Sequence, residues 1–360
     1  MEQSLEILSQ LGAIPAVSFH ENWMSEKICS LLDESNINWE KDNYNNIIAS
    51  VNTDHNSSNR PIGFIAHMDH PGFEIIGNSN ENLIAKPLGG IPPYGRNPGV
   101  KLEIVPDLHT RHKAHIIGPN PEDESTVIVS TEQPVTLNTF PIPAVFDLVD
   151  FDLTSHIISM RALDDLAGCA ATISLLQKRI SSEDKQPIYG IFTCAEEVGL
   201  VGARLLASSG VIPKSTFIVS LEASRNLPGA EIGKGPVIRV GDAGTTFDNE
   251  AESILVKAKE SLLDENSDFL CQRQLMSGGV CEASAFWSEG YQTTGMAFPL
   301  GNYHNGGDDD RILAEYIHEL DFINGVALLE KATYHVNDSS TTRFQNRFKD
   351  LPESLVNRLK

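Results

Sequence analysis

Five short segments carry the residues that could do chemistry. They are His67 and Asp69 in IAHMDH, Asp164 and Asp165 in RALDDLAGCAA, Glu196 and Glu197 in FTCAEEVG, Glu222 in IVSLEAS and His304 in PLGNYHN. Side chains at i and i+2 of an extended segment share a face, so His67 and Asp69 can approach each other. A metal-bound imidazole needs a partner on its other nitrogen, and Asp69 is the natural candidate. Adjacent Glu196 and Glu197 should point differently, one to bind metal and the other to hold a proton over a bound water. His67, Asp164, Glu197, Glu222 and His304 make five ligands, one more than a closed tetrahedral zinc accepts. If Asp164 bridges, the set divides into two half-sites, each with one histidine and one terminal carboxylate. Oxygen and nitrogen without sulfur suit zinc, cobalt or manganese. Two such ions about 3.5–4 Å apart clamp a hydroxide, which is chemistry for hydrolysing an amide or ester.

The elements around these residues are those of an α/β sheet. Apolar runs at Ile62–Ala66, Ile188–Cys194, Phe217–Leu221 and Thr294–Pro299 read as buried strands. Helical periods cover Ala162–Ile180, Val201–Ser208, Asp248–Lys259 and Arg311–Tyr334. Four strand ends and one helix start therefore carry the acids and imidazoles, and in open α/β sheets ligands bind outside the carboxyl ends of the strands. Between Pro87 and Pro143 lie ten of the 19 prolines. Short β-rich runs there, Val100–Val105, His115–Ile117 and Thr126–Val129, predict an all-β insert. The expected division is a discontinuous catalytic part, residues 1–74 and 157–360, around an insert at 75–156.

Composition narrows the partners. Lysine and arginine number 27 against 49 acids, a net charge of −22, which repels nucleic-acid backbones and anionic membrane surfaces. No apolar run approaches the ~18 residues of a membrane span. Cys29, Cys169, Cys194, Cys271 and Cys281 show no Cys-x-x-Cys pair, as expected of reduced thiols in a cytoplasm.

Taken in order, HMD after a strand, ALDDLAG opening a helix, EEVGLVGA, GPVIRVGDAGTTFD and the late YHN resemble the tetrahedral and glutamyl aminopeptidases. These are dinuclear metallo-aminopeptidases of the zinc exopeptidase superfamily. The resemblance implies a mixed central sheet flanked by helices, phosphorylase/hydrolase-like, with a PDZ-like β barrel inserted for dimerisation. It implies dimers that build dodecamers, and peptide substrates trimmed from the amino end. It assigns His67, Asp164 and Glu222 to one ion and Asp164, Glu197 and His304 to the other. Glu196 becomes the general base on the bridging water and Asp69 the partner of the metal-bound imidazole. It also implies a cis peptide between Asp164 and Asp165.

Four departures from the family pattern leave the metal chemistry in place and bear on substrate preference. His70-Pro71-Gly72-Phe73 stands where the family has an acid followed by Ile-Gly-Phe, and Glu222 replaces a usual Asp. Gly279-Val280-Cys281-Glu282-Ala283 replaces Gly-Gly-Thr-Asp-Ala, and Asn305-Gly306 replaces Ser-Pro. Glu282 is expected to meet the substrate ammonium or side chain. His70 is expected either at the substrate entrance or as a loop histidine without a role. Asp308-Asp309-Asp310 reads as a cap on the helix beginning at Arg311. Two other readings use the same residues: a deacylase or carboxypeptidase-like amidohydrolase, and a non-catalytic scaffold. Glycoside hydrolysis fits poorly, because adjacent glutamates cannot flank a sugar from opposite sides.

Overall fold

The computed structural model describes residues 2–53, 59–137 and 139–360. Among these residues the centre is an eight-stranded sheet. Its order is Asn38–Lys41, Ile47–Val51, Ile188–Thr193, Ile62–His67, Phe217–Arg225, Thr293–Leu300, Val237–Arg239 and Gln272–Gln274. The four middle strands run parallel, while Ile47–Val51 and Val237–Arg239 join them antiparallel on either side. Every residue of Ile62–His67 is buried. Phe64 and Ala66 enter the core under the helices Glu2–Gly12, Leu166–Ile180 and Glu319–Ala332. Ile65 enters the opposite core with Ile191, Ile218 and Leu206. A strand covered on both faces must be apolar at every position, which is why IGFIA shows no alternation.

The insert is a closed barrel of six strands, in the order Gly72–Ser79, Asn82–Leu88, Asp123–Thr131, Thr110–Asn120, Lys101–Asp107 and Ile142–Phe146. It has its own core, in which Phe73 meets Phe146 edge to face with ring centres 5.6 Å apart. Closure pairs every strand and leaves no free edge. The segment Asp152–Thr154 lies inside the boundary expected for the insert. It pairs instead with Ile157–Met160, which in turn pairs with Glu315–His318 to form a small separate sheet.

One expected helix is corrected. The period read over Arg311–Tyr334 covers the strand Glu315–His318 followed by the helix Glu319–Ala332. Glu315 and Ile317 are buried and alternate with partly exposed neighbours, a strand pattern too short to break the longer helical period. His318 starts the helix, its Nδ1 accepting the N–H of Leu320 at 3.1 Å. Asp308–Asp310 therefore caps no helix; it forms a single 3-10 turn. The helix expected from Ala162 starts at Leu166, because Asp165 is its cap and accepts the N–H of Gly168 at 3.0 Å. A side chain at Gly168 would strike that carboxylate.

Candidate metal centre and active site

The carboxyl ends of the parallel strands converge on one cavity. Ile62–His67 ends in His67, Ile188–Thr193 leads to Glu196 and Glu197, Phe217–Arg225 carries Glu222, and Thr293–Leu300 leads to His304. Asp164 arrives from the residues before the Leu166–Ile180 helix, through a cis peptide to Asp165. Two trios hold their ligand atoms within 4.8 Å of one another: His67, Asp164 and Glu222, and Asp164, Glu197 and His304. A third such trio is His67, Glu196 and Glu197. Asp164 lies between the two histidines, its Oδ1 3.5 Å from His67 Nε2 and its Oδ2 3.9 Å from His304 Nε2.

Main-chain carbonyls orient both rings. The Nδ1–H of His67 donates to Asp69 O at 2.9 Å, and that of His304 donates to Gly90 O at 3.0 Å. Each histidine thus turns its Nε2 edge toward Asp164, the edge a metal would take once it is free of a proton. The partner of the His67 ring differs from expectation, because it is the carbonyl of Asp69 and not its carboxylate, which stands 3.7 Å away. That carboxylate instead accepts the N–H groups of Glu196 at 2.8 Å and Glu197 at 3.2 Å, and the Ser18 hydroxyl at 2.6 Å. Asp69 therefore sets the turn that aims the two glutamates. Glu21 braces the same turn by accepting the N–H of Ala195 at 2.9 Å. Ala195 and His304 both have left-handed backbones, at φ 53, conformations that persist in non-glycine residues only when surroundings enforce them.

Electrostatically the site is crowded with acid. Burial, followed by the charges of Glu196 and Asp164, pushes the Glu197 carboxyl far above its ordinary range. Burial and then Asp164 raise Glu222 to about 8. Burial also lifts Glu196 strongly, with Glu222 and Glu282 adding to it against the opposing charge of His67. The His67 ring is held well above its usual value: burial opposes its charge, but Glu196 and Asp164 outweigh that. Glu197 Oε1 and Glu222 Oε1 are buried without a hydrogen-bond partner. Buried carboxylates lacking donors call for a cation. The donor set of two imidazoles and several carboxylates fits divalent zinc, cobalt or manganese.

Two expected substrate contacts are corrected. Glu282 is fully buried beneath the site, hydrogen-bonded to the Thr193 hydroxyl, and burial raises it to about 7. It opens the helix Glu282–Ser288, which turns it inward to the sheet and away from the cavity. His70 is also buried: its Nδ1–H donates to Pro71 O at 2.9 Å, and its Nε2 accepts the N–H of Ala16 at 3.1 Å. Neither edge of the ring is free for a ligand.

Three features had no place in the reading of the sequence. Glu315 accepts the main-chain N–H groups of Leu163, Asp164 and His304. Gly89 and Gly90 bring the barrel into the site, Gly90 passing so close to the His304 ring that no Cβ fits. Arg225 and Arg239 line the cavity with Leu227, Met276, Val280 and Tyr303, around a space of about 80 Å3. Arg239 belongs to the GPVIRVGDAG run and could have been noticed there.

Comparison with known proteins finds peptidases. Residues 143–308 match the family model of M42 glutamyl aminopeptidase. A curated protein of Acetivibrio thermocellus, provisionally named an aminopeptidase, is 24% identical over 266 residues, covering 71% of this chain and 78% of that protein. The dodecameric PhTET1-12s is 25% identical, covering 91% of this chain and 98% of its own, with a TM-score of 0.74. The TET1 peptidase of Pyrococcus horikoshii shares the fold at 23% identity, 92% and 99% coverage and a TM-score of 0.75. With its mixed sheet, inserted barrel and ordered site residues, the chain is similar to the M42 glutamyl aminopeptidases over residues 143–308 and to TET peptidases in fold, and it is a peptidase.

Proposed function

We propose that the chain is a dinuclear metallo-aminopeptidase, with Glu196 as the general base. The observation that carries this reading is the pair of trios sharing Asp164, each with one histidine and one terminal glutamate. His67, Asp164 and Glu222 would hold one divalent ion, and Asp164, Glu197 and His304 the other. Bound there, the ions supply Lewis acidity toward a peptide carbonyl and toward water. Glu196 takes the proton of the attacking water and returns it to the departing amine. Burial holds its carboxyl above the ordinary range, which favours taking up that proton and passing it on. Asp69 and Glu315 act through the backbone and keep the ligands aimed.

The acid-rich mouth favours a free α-ammonium over an acylated nitrogen. Arg225 and Arg239, set among Leu227 and Met276, favour an N-terminal residue with an acidic end and an apolar stem. The name of the matching family agrees with that preference. Self-association follows the dodecameric relative, and a cytoplasmic setting accords with five free cysteines. Among the described residues no helix is long and apolar enough to cross a membrane.

The test is a screen of aminoacyl reporters, free and N-acetylated, with zinc, cobalt or manganese, beside Glu196→Gln. Turnover should require the free amine and favour Glu or Asp. The variant should keep its metal and lose ~10²–10⁴-fold in kcat. Equal cleavage of acetylated reporters, or undiminished turnover by the variant, sinks the assignment.

A further inference from the structure

The helices Arg343–Lys349 and Glu353–Val356 bury none of their residues. Isolated helices shorter than ~12–15 residues are marginal in water, and most helices in proteins persist by packing an apolar face. This segment has such a face with nothing against it. Phe344, Phe348, Leu351, Leu355 and Leu359 recur every three or four residues and are 53–93% exposed. Two devices hold the first helix locally. Thr342 and Gln345 form a capping box, and Arg343 joins Glu260 through its backbone N–H and Asp264 through its guanidinium. Both are polar, so the apolar stripe remains open to water.

Charge indicates what covers it. Residues 343–360 carry five basic and two acidic side chains, a net +3, so the rest of the chain carries −25 of the total −22. Among the described residues, no acid of the same chain lies within ion-pair reach of Arg347, Lys349, Arg358 or Lys360. A stripe of apolar groups flanked by unpaired cations fits an acidic protein surface, and the body of this chain is one. Two such segments would repel each other, so the stripe meets a body and not another arm.

We propose that residues 343–360 form a docking arm that seats against the acidic body of a second copy of this chain. The apolar stripe supplies the buried area and the basic residues select the acidic face. The arm lies outside the hydrolytic site and rests on separate observations, so its failure leaves the peptidase reading intact.

The test uses the full chain and a variant combining Phe344→Ser, Phe348→Ser, Leu351→Ser and Leu355→Ser. These side chains are exposed, so the variant should keep its far-ultraviolet circular dichroism. Native mass is measured by light scattering at 0.05–0.5 M salt (roughly a threefold range of Debye length). Mixtures of ¹⁴N- and ¹⁵N-labelled chains are cross-linked between amines and carboxylates. The native chain should give mixed-isotope links from Lys349 or Lys360 to acids of the body. The variant should lose those links and dissociate at tenfold or more higher concentration. Absence of mixed-isotope links, or an unchanged assembly in the variant, overturns the proposal. Sedimentation with phosphatidylserine vesicles that the variant loses would assign the arm to membranes and overturn it equally.

Discussion

Glu315 Oε1 accepts the main-chain N–H of His304 at 3.0 Å, while its Oε2 accepts that of Asp164 at 3.1 Å. One buried carboxylate therefore fixes the spacing between Asp164 and His304, which are 140 residues apart. Burial and the charge of Asp164 raise Glu315 to about 8, while the three N–H groups it accepts hold it down. Glu315→Gln keeps the shape but turns an NH2 group toward backbone donors. The expected result is a folded protein whose metal affinity falls ~10–100-fold, the usual cost of losing a group that orients a ligand. Metal titration with a fluorescent competitor reads this directly. A lower melting temperature with unchanged affinity would show a role in stability alone.

Gly90 makes a related prediction for the barrel. Its carbonyl holds the His304 ring, and a Cβ added there would collide with the same ring. Gly90→Ala should displace His304 and lower both metal occupancy and kcat by at least ~10-fold, as small misplacements of catalytic groups do. The barrel core lies elsewhere, so thermal stability should change little. Metal content by mass spectrometry after dialysis decides the matter; a full complement with normal turnover would refute it.

The fold and the ligand cluster were legible because the chemistry sits where the patterning changes. His67, Glu222 and the Glu196–Glu197 pair each end or follow a run of buried apolar residues, so their common location at strand ends could be inferred without coordinates. Glu315 was not legible, since accepting backbone N–H groups leaves no signature in residue type or spacing. Glu282 and His70 were misplaced for a different reason. Nearness to an altered motif says nothing about which face a side chain takes, and helix entry turned one inward while Ala16 and Pro71 enclosed the other. The Arg311–Tyr334 period failed because pairing with Ile157–Met160, a contact distant in sequence, converts its start to a strand.

His70 should make the protein acid-sensitive. Burial, with a contribution from the Arg161 charge, lowers it to about 3 from the ordinary 6.5. Between those values the unfolded chain binds a proton that the folded protein refuses, so stability falls as pH drops through that window. The slope from this residue is about 1.4 kcal/mol per pH unit. Urea unfolding of native protein and His70→Asn at pH 6, 5 and 4 should show the slope reduced by about that amount in the variant. Parallel slopes would mean that the ring is protonated in the folded state.

The buried acids predict the opposite trend, and metal should reverse it. Glu222 titrates at about 8 in the folded protein against an ordinary 4.5. Between these values the fold keeps a proton that the unfolded chain has released, so metal-free stability falls as pH rises. A divalent ion takes the place of that proton, and binding must expel it. Zinc should therefore raise the melting temperature more at pH 8 than at pH 5, and a chelator should abolish the difference. Titration calorimetry at pH 7, in buffers of different ionisation enthalpy, should detect at least one proton released per chain from the carboxyl groups of the site. A zinc-induced shift independent of pH, with no proton release, would place the metal away from Glu222 and its neighbours.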